Sequence, residues 1–510
     1  MMKKKALMFQ GVSSSAGKSL CTAALCRIFK RSGLRVVPFK AQNMSLNSYI
    51  SQAGEELGRA QALQAMACGL EADARMNPVL LKPMGNARSQ VIVRGKVKGI
   101  MTYSEYVRMK GKIWRDVCDA YYELAESADL MLLEGAGSPA EINLQKHDIV
   151  NMRMAREAEA DVLLVADIDR GGAFAALAGT MSLLKASDRK LVKGFILNRF
   201  RGDKSLLKPA LDIMNKRYKR SFFGIIPMIE DLLLPEEDSA SFDLALGKDH
   251  KNNLKDTKGK RLDIGLILLP GISNFTDFDP LRHEANIQFR VIKDQESFGS
   301  PDLLILPGTR TVHSAMQWLE KNGLAELIKN YVLEINKKGR GVLVGICGGL
   351  QLMGQRLEDP YGIEGASFNA LGILPLTTHM EAQKILRRTK GRVLYTFLNS
   401  EIYVDTYEIR HGRSLVDKEL EALILDENGQ AQAWGLKSED DAKFRIWGTY
   451  LHGIFENEQF RQKFLKQILT WKGEDDGIFH TYSVENEIDR LADIFAENMD
   501  LDAIYRLLEL

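Results

Sequence analysis

The sequence predicts an α/β fold: a doubly wound, mostly parallel sheet in the N-terminal half and a second α/β domain behind it. Three observations carry this. Short apolar runs ending in polar or glycine turns alternate with segments of helical periodicity, as in successive βαβ units. A glycine-rich loop, GVSSSAGKS at Gly11–Ser19, stands between the first apolar run and the first helical segment. A second strand-to-helix turn, GVLVGICGGLQLMG at Gly341–Gly354, repeats the arrangement far downstream with a cysteine at the turn.

In order, Ala6–Phe9 is the first expected strand, followed by the glycine loop and a helical pattern over Leu20–Phe29. Such a loop lets backbone N–H groups cradle phosphates, with the helix dipole behind them. Gly11, Gly17, Lys18 and Ser19 are the candidate nucleotide-binding residues: Lys18 for the terminal phosphates, the Ser19 hydroxyl for Mg²⁺. Five residues, Val12–Ala16, separate the glycines where the common P-loop has four. Val36–Phe39 is the second strand and opens into a polar cluster with Lys40, Asn43 and Asn47. Ligands of open α/β sheets sit at the carboxyl ends of strands, so these three are candidate substrate contacts. Glu55–Ala67 reads as a helix, and Asn77–Pro83 and Gln90–Val93 are further apolar pieces.

Asp129–Leu133 delivers Glu134 into the turn Gly135-Ala136-Gly137, which makes Glu134 the candidate acidic ligand of Mg²⁺; a solvent-facing glutamate is the plainer alternative. Val162–Val165 leads to Asp167 and Asp169, and Gly194–Leu197 leads to Asn198, a candidate for reading an adenine edge. Phe223–Ile226 completes the series. The charged stretch 236–261 reads as a linker between a domain at 1–235 and one at 262–460, with a helical tail at 461–510.

In the second domain, Leu262–Leu269 restarts the strands and Leu303–Leu306 leads to Pro307-Gly308-Thr309. Val342–Ile346 is a buried strand ending at Cys347, with Gly348 and Gly349 behind it. Small flanking residues permit a sharp turn that projects the sulfur and leaves N–H groups facing an oxyanion. Cys347 is therefore the candidate nucleophile, against the alternative of a buried structural thiol. His452, in IWGTYLHGIF, is the candidate general base.

Net charge is only +2, which argues against a general nucleic-acid footprint. The five cysteines (21, 26, 68, 118, 347) are odd in number and widely spaced, which suggests neither a disulfide framework nor a zinc site and fits a reducing cytoplasm. The N-terminal apolar run is too short for a signal peptide, and no run of about 18 apolar residues is present, so no membrane span is expected.

The segments around Cys347 and His452 resemble the class I glutamine amidotransferases, which release ammonia from the glutamine amide; the resemblance implies a flavodoxin-like domain with Gly308 and Gly348 as oxyanion donors. Many members carry a glutamate two residues after the histidine, where this chain has Ile454. The long glycine loop is similar to that of dethiobiotin synthetase. The stretches PFKAQNMSLNSY, MNPVLLKP, EGAGSPAEINL, DIVNM, ADIDRGGAF, NRFRGD, ISNFTDFDPL, LPGTRT, GICGG and GTYLHGIF together resemble the adenosylcobyric acid synthase family, from about Phe9 to Phe455. One departure is Arg410 in YEIRHG, where a histidine is expected. The resemblance implies an ATP–Mg²⁺ and glutamine-dependent ligase that amidates peripheral carboxylates of a corrinoid, adenosylcobyrinic acid a,c-diamide, in cobalamin biosynthesis. A sibling reaction, amidation of the a and c arms of cobyrinic acid, uses both domains too. A partition-type ATPase switch fused to an inert module is the rival from another class; such switches carry an extra lysine early in the loop, and Val12–Ala16 holds none.

Overall fold

The computed structural model describes residues 5–84, 87–230, 232–235, 261–284, 286–394, 401–436, 444–474 and 482–510. The chain divides into two units: Met1–Glu237 with Ser483–Leu510, and Asp238–Tyr482. All of the expected linker except Arg261 lies outside the described residues.

In the first unit, six parallel strands stand in the order Ser221–Pro227, Val192–Phe200, Asp161–Asp167, Lys5–Gly11, Leu130–Glu134, Val36–Phe39. Both faces are covered, which is why these strands read as unbroken apolar runs rather than alternating ones. Met8, Met131, Leu133, Val162 and Leu164 pack in one core. Their chain neighbours Leu7, Phe9, Leu130, Leu132 and Leu163 pack in the other. The parallel register brings every loop after a strand to one edge, where Gly11, Lys40, Glu134, Asp167 and Asn198 emerge.

One feature departs from the sequence reading. The helix expected from Glu55 starts only at Arg59, because Glu56–Gly58 pairs as a short strand with Ser48–Ile50. The carboxylate of Glu56 is buried against Lys82 at 2.7 Å, which fixes that backbone as extended. The pieces near Val79 and Val91 do not join the main sheet. Val79–Met84, Arg88–Val93 and Lys96–Thr102 form an antiparallel ladder, with Gln42–Met44 along its edge.

In the second unit, five parallel strands run in the order Ile287–Ile292, Leu262–Ile267, Leu303–Leu306, Val342–Ile346, Ile446–Thr449, and antiparallel strands extend the sheet beyond the last. The stretch 461–510 divides between the units. The helix Glu458–Lys472 buries Phe460, Phe464 and Leu465 in the second core. Val484–Asn498 packs Ile488, Leu491 and Phe495, and Leu501–Leu508 packs Ile504, into the core of the first unit that also holds the helix Lys18–Arg31.

Candidate active site

The first centre is built on the loop after Lys5–Gly11. Lys18 opens the helix, and its Nζ approaches the carbonyls of Ser13 (3.3 Å) and Gly137 (3.4 Å), so the cation lies across the mouth of the loop. Gly17 adopts φ 98°, and a Cβ there would meet Asn198 Nδ2 at 1.9 Å. That amide donates to the Ala16 carbonyl at 3.0 Å, so Asn198 braces the loop itself. Arg199 bonds the Ser15 carbonyl (3.2 Å) and Asp167 (2.7 Å), a second brace. Glu134 is fully buried. Its Oε1 accepts from Ser19 Oγ at 2.9 Å and Lys40 Nζ at 2.8 Å, and its Oε2 accepts from Gln64 Nε2 at 2.6 Å. Lys40 thereby links the polar cluster after the second strand to Glu134 and the glycine loop. Asn43 bonds Gln61 at 3.0 Å, one turn before Gln64 on the same helix, and the Asn47 carbonyl accepts from the Arg59 N–H at that helix's start.

The second centre follows from strand register. Leu262–Ile267, Leu303–Leu306, Val342–Ile346 and Ile446–Thr449 are neighbouring parallel strands, so the residues after each converge on one edge. Cys347 sits at φ 50°, ψ −105°, a strained conformation for a residue with a Cβ. Gly349 is forced by close approach: a Cβ there would lie 1.9 Å from the Leu306 carbonyl. A Cβ on Gly348 would lie 2.9 Å from the Thr309 backbone nitrogen, and one on Gly308 would lie 3.3 Å from His452 Cε1. Gly308, Gly348, Cys347 and His452 are thus brought together.

The His452 ring is buried, close enough to the Cys347 sulfur for the two to interact electrostatically. Its Nδ1 lies 2.6 Å from Asp277 Oδ2, and Asp277 Oδ1 accepts from the Gly453 N–H at 3.0 Å. Burial lowers the ring's pKa, but the charge and hydrogen bond of Asp277, with the Cys347 sulfur, raise it on balance to about 10. The ring therefore carries its proton at neutral pH. Tyr407 stacks on the ring at 5.4 Å and 20°, and the Ile409 carbonyl accepts from Cys347 Sγ at 3.7 Å.

Residues 263–460 match the CobB/CobQ-like glutamine amidotransferase domain, and residues 7–241 match the CobQ/CobB/MinD/ParA nucleotide binding domain. The chain is 44% identical to the cobyric acid synthase of Nitratidesulfovibrio vulgaris, over 99% of its length and 97% of that protein. It is 43% identical to the cobyric acid synthase of Carboxydothermus hydrogenoformans, over 99% of both. The chain belongs to the cobyric acid synthase family. A longer relative, the adenosylcobalamin biosynthesis bifunctional protein CobDQ of Leptospira interrogans, is 42% identical over 100% of this chain, which spans 57% of that protein.

As a member of the cobyric acid synthase family the chain is an amidotransferase ligase with a nucleotide-binding domain. Two features of this member escape the sequence reading. Asp277 lies 175 residues before the histidine it touches, and its only signal is a place in the run ISNFTDFDPL. Arg410 is absorbed into packing: its Nε donates to buried Glu408 at 2.7 Å and its guanidinium lies 4.0 Å from the centre of the Tyr450 ring. Among the described residues no helix is long and apolar enough to cross a membrane.

Proposed function

We propose that the chain amidates peripheral carboxylates of adenosylcobyrinic acid a,c-diamide to give adenosylcobyric acid, driven by ATP and supplied with ammonia from glutamine. The observation that supports this best is the pairing of two sites in one chain: a buried Ser19–Glu134–Lys40 group behind a phosphate loop, and a Cys347–His452 pair at a strained strand end. In the second unit, Cys347 Sγ attacks the glutamine amide carbon while the backbone N–H groups at Gly308 and Gly348 face the developing oxyanion. His452, charged in the resting pair, gives its proton to the leaving nitrogen; the C–N bond breaks and ammonia departs. Water, with His452 taking a proton, then hydrolyses the thioester to glutamate. In the first unit, the substrate carboxylate takes the γ-phosphoryl group of ATP, and ammonia displaces phosphate from the acyl phosphate to give the amide.

Ser19 Oγ and Glu134 Oε1 are hard oxygen donors 2.9 Å apart, which fits Mg²⁺. Bound there, the ion would neutralise charge on the β- and γ-phosphates. Lys18 and Lys40 bring positive charge to the same place, and Lys40, Asn43 and Asn47 are the proposed substrate-side contacts.

The test is amide formation from glutamine and from ammonium chloride, read by mass spectrometry of the corrinoid. Cys347→Ala should abolish glutamine-driven product and keep ammonia-driven product. Glutamine use by Cys347→Ala would overturn the assignment of the thiol. Product from cobyrinic acid rather than its a,c-diamide would overturn the substrate.

A further inference from the structure

The loop after Leu262–Ile267 leaves the sheet at the edge where Cys347 and His452 meet. We propose that Asp277 is the third member of the glutamine-hydrolysing group, a positioning residue that fixes the His452 ring so that its other nitrogen serves the Cys347 sulfur. This rests on the reading of Cys347 and His452 given above.

Both oxygens of the carboxylate are committed. Oδ2 lies 2.6 Å from Nδ1 of the ring, and Oδ1 accepts from the N–H of Gly453, the next residue. Two bonds to adjacent points set the angle of the ring as well as its place. Both side chains are only 2% exposed, so the contact is held away from water, where a charged hydrogen bond is strongest. The position two residues after the histidine, used for a glutamate in many class I amidotransferases, is filled here by Ile454, packed in the apolar core. No acid can act from there.

The backbone aims the aspartate. Asn274 adopts a left-handed conformation at φ 51°, which asparagine tolerates, and starts the short turn Phe275–Phe278 that carries Asp277. The same loop holds the opposite wall of the site. The Ser273 N–H donates to the Gly308 carbonyl at 3.0 Å, and Ile272 bridges to Thr309. One segment therefore sets the spacing between the oxyanion turn and the proton carrier.

In the reaction Nδ1–H stays on Asp277, so the ring must use its other nitrogen towards the sulfur and the leaving group. The aspartate remains ionised and stabilises the ring's positive charge while it holds the thiol proton. The other polar groups around the ring are the Cys347 thiol, the stacked Tyr407 and Glu456, whose carboxyl carbon lies near Gly453.

The experiment compares full-length wild type, Asp277→Asn, Asp277→Glu and Cys347→Ala in glutamine hydrolysis across pH and in ammonia-driven amidation. Asp277→Asn should lower kcat by roughly 10²-fold or more with KM for glutamine little changed, because it disturbs proton transfer rather than substrate contact. Its loss of activity at alkaline pH should begin lower than in wild type, since the ring loses the charge that raises its pKa to about 10. Asp277→Glu should recover part of the rate, and ammonia-driven amidation should persist in all variants. Asp277→Asn with wild-type kcat and an unshifted pH profile would overturn the proposal. So would loss confined to KM. If Asp277→Asn does not fold, Asp277→Glu decides: an alkaline limb and kcat unaffected by moving the carboxylate would also overturn it. Cys347→Ala separates the two levels: glutamine hydrolysis in that variant would sink the underlying reading, whereas an inactive Cys347→Ala beside a fully active Asp277→Asn sinks only the role of Asp277.

Discussion

Glu134 answers to three donors at once, and this makes it sensitive to a change of charge. Glu134→Gln keeps the size but leaves Lys40, 4% exposed and 2.8 Å away, without its counter-charge. Removing one partner of such a buried pair costs about 3–5 kcal/mol. The expected outcome is a lower melting temperature and a magnesium titration of ATP hydrolysis displaced at least tenfold upward. A Lys40→Met change added to it should recover the melting temperature but not the titration. An unmoved titration would remove Glu134 from the metal site. On the proposed role of Lys18, neutralising charge on the transferring phosphoryl group, Lys18→Ala should abolish amidation from either nitrogen source; near-normal ATP turnover in that variant would contradict the reading of the loop. At this scale the sequence was informative where chemistry needs neighbours in the chain. Lys18 and Ser19 follow their glycines, and Cys347 announces itself by Gly348 and Gly349. Asp277 was illegible because its partner is reached only through strand order, which no spacing rule encodes.

Elements explain why the same edge of each sheet carries the chemistry. Parallel strands in register put Gly11, Lys40, Glu134 and Asn198 together in one unit, and Asp277, Gly308, Cys347 and His452 in the other. Apolar runs of four or more residues made these strands readable. The antiparallel ladder from Val79 to Thr102 was not, because Lys96–Thr102 is largely exposed and carries little apolar signal. The phosphate loop has a sharp test. Gly17 combines φ 98° with a contact that a Cβ would close to 1.9 Å from Asn198 Nδ2. Gly17→Ala should therefore displace Asn198 from the Ala16 carbonyl and weaken nucleotide binding by tenfold or more, as measured by titration calorimetry. Asn198→Ala should give a smaller loss, since the loop keeps its Arg199 brace. Equal affinity in Gly17→Ala and wild type would show that the loop tolerates a side chain there.

At the scale of the whole chain, the polypeptide completes the first unit only after finishing the second. Its last two helices belong with the phosphate-loop helix: Arg31 pairs with Asp489 at 2.8 Å, and Phe29 meets Tyr505 edge-on at 5.3 Å. Helical periodicity made that tail visible in the sequence but not its destination, because an amphipathic face does not name the surface it covers. Burial now assigns it. Phe495 is fully buried in the first unit, whereas Phe464 is buried in the second among Phe460, Trp447 and Phe455. Truncating either ring to alanine should cost about 3–5 kcal/mol, but in different places. On heating full-length protein, Phe495→Ala should lose ATP-dependent amidation from ammonium chloride at a lower temperature than wild type while glutamine hydrolysis survives. Phe464→Ala should do the reverse. The readout is residual activity in both assays after brief incubation at graded temperatures. If Phe495→Ala lost glutamine hydrolysis first, the tail would not be part of the first unit's core, and its burial beside the phosphate-loop helix would have no energetic weight there.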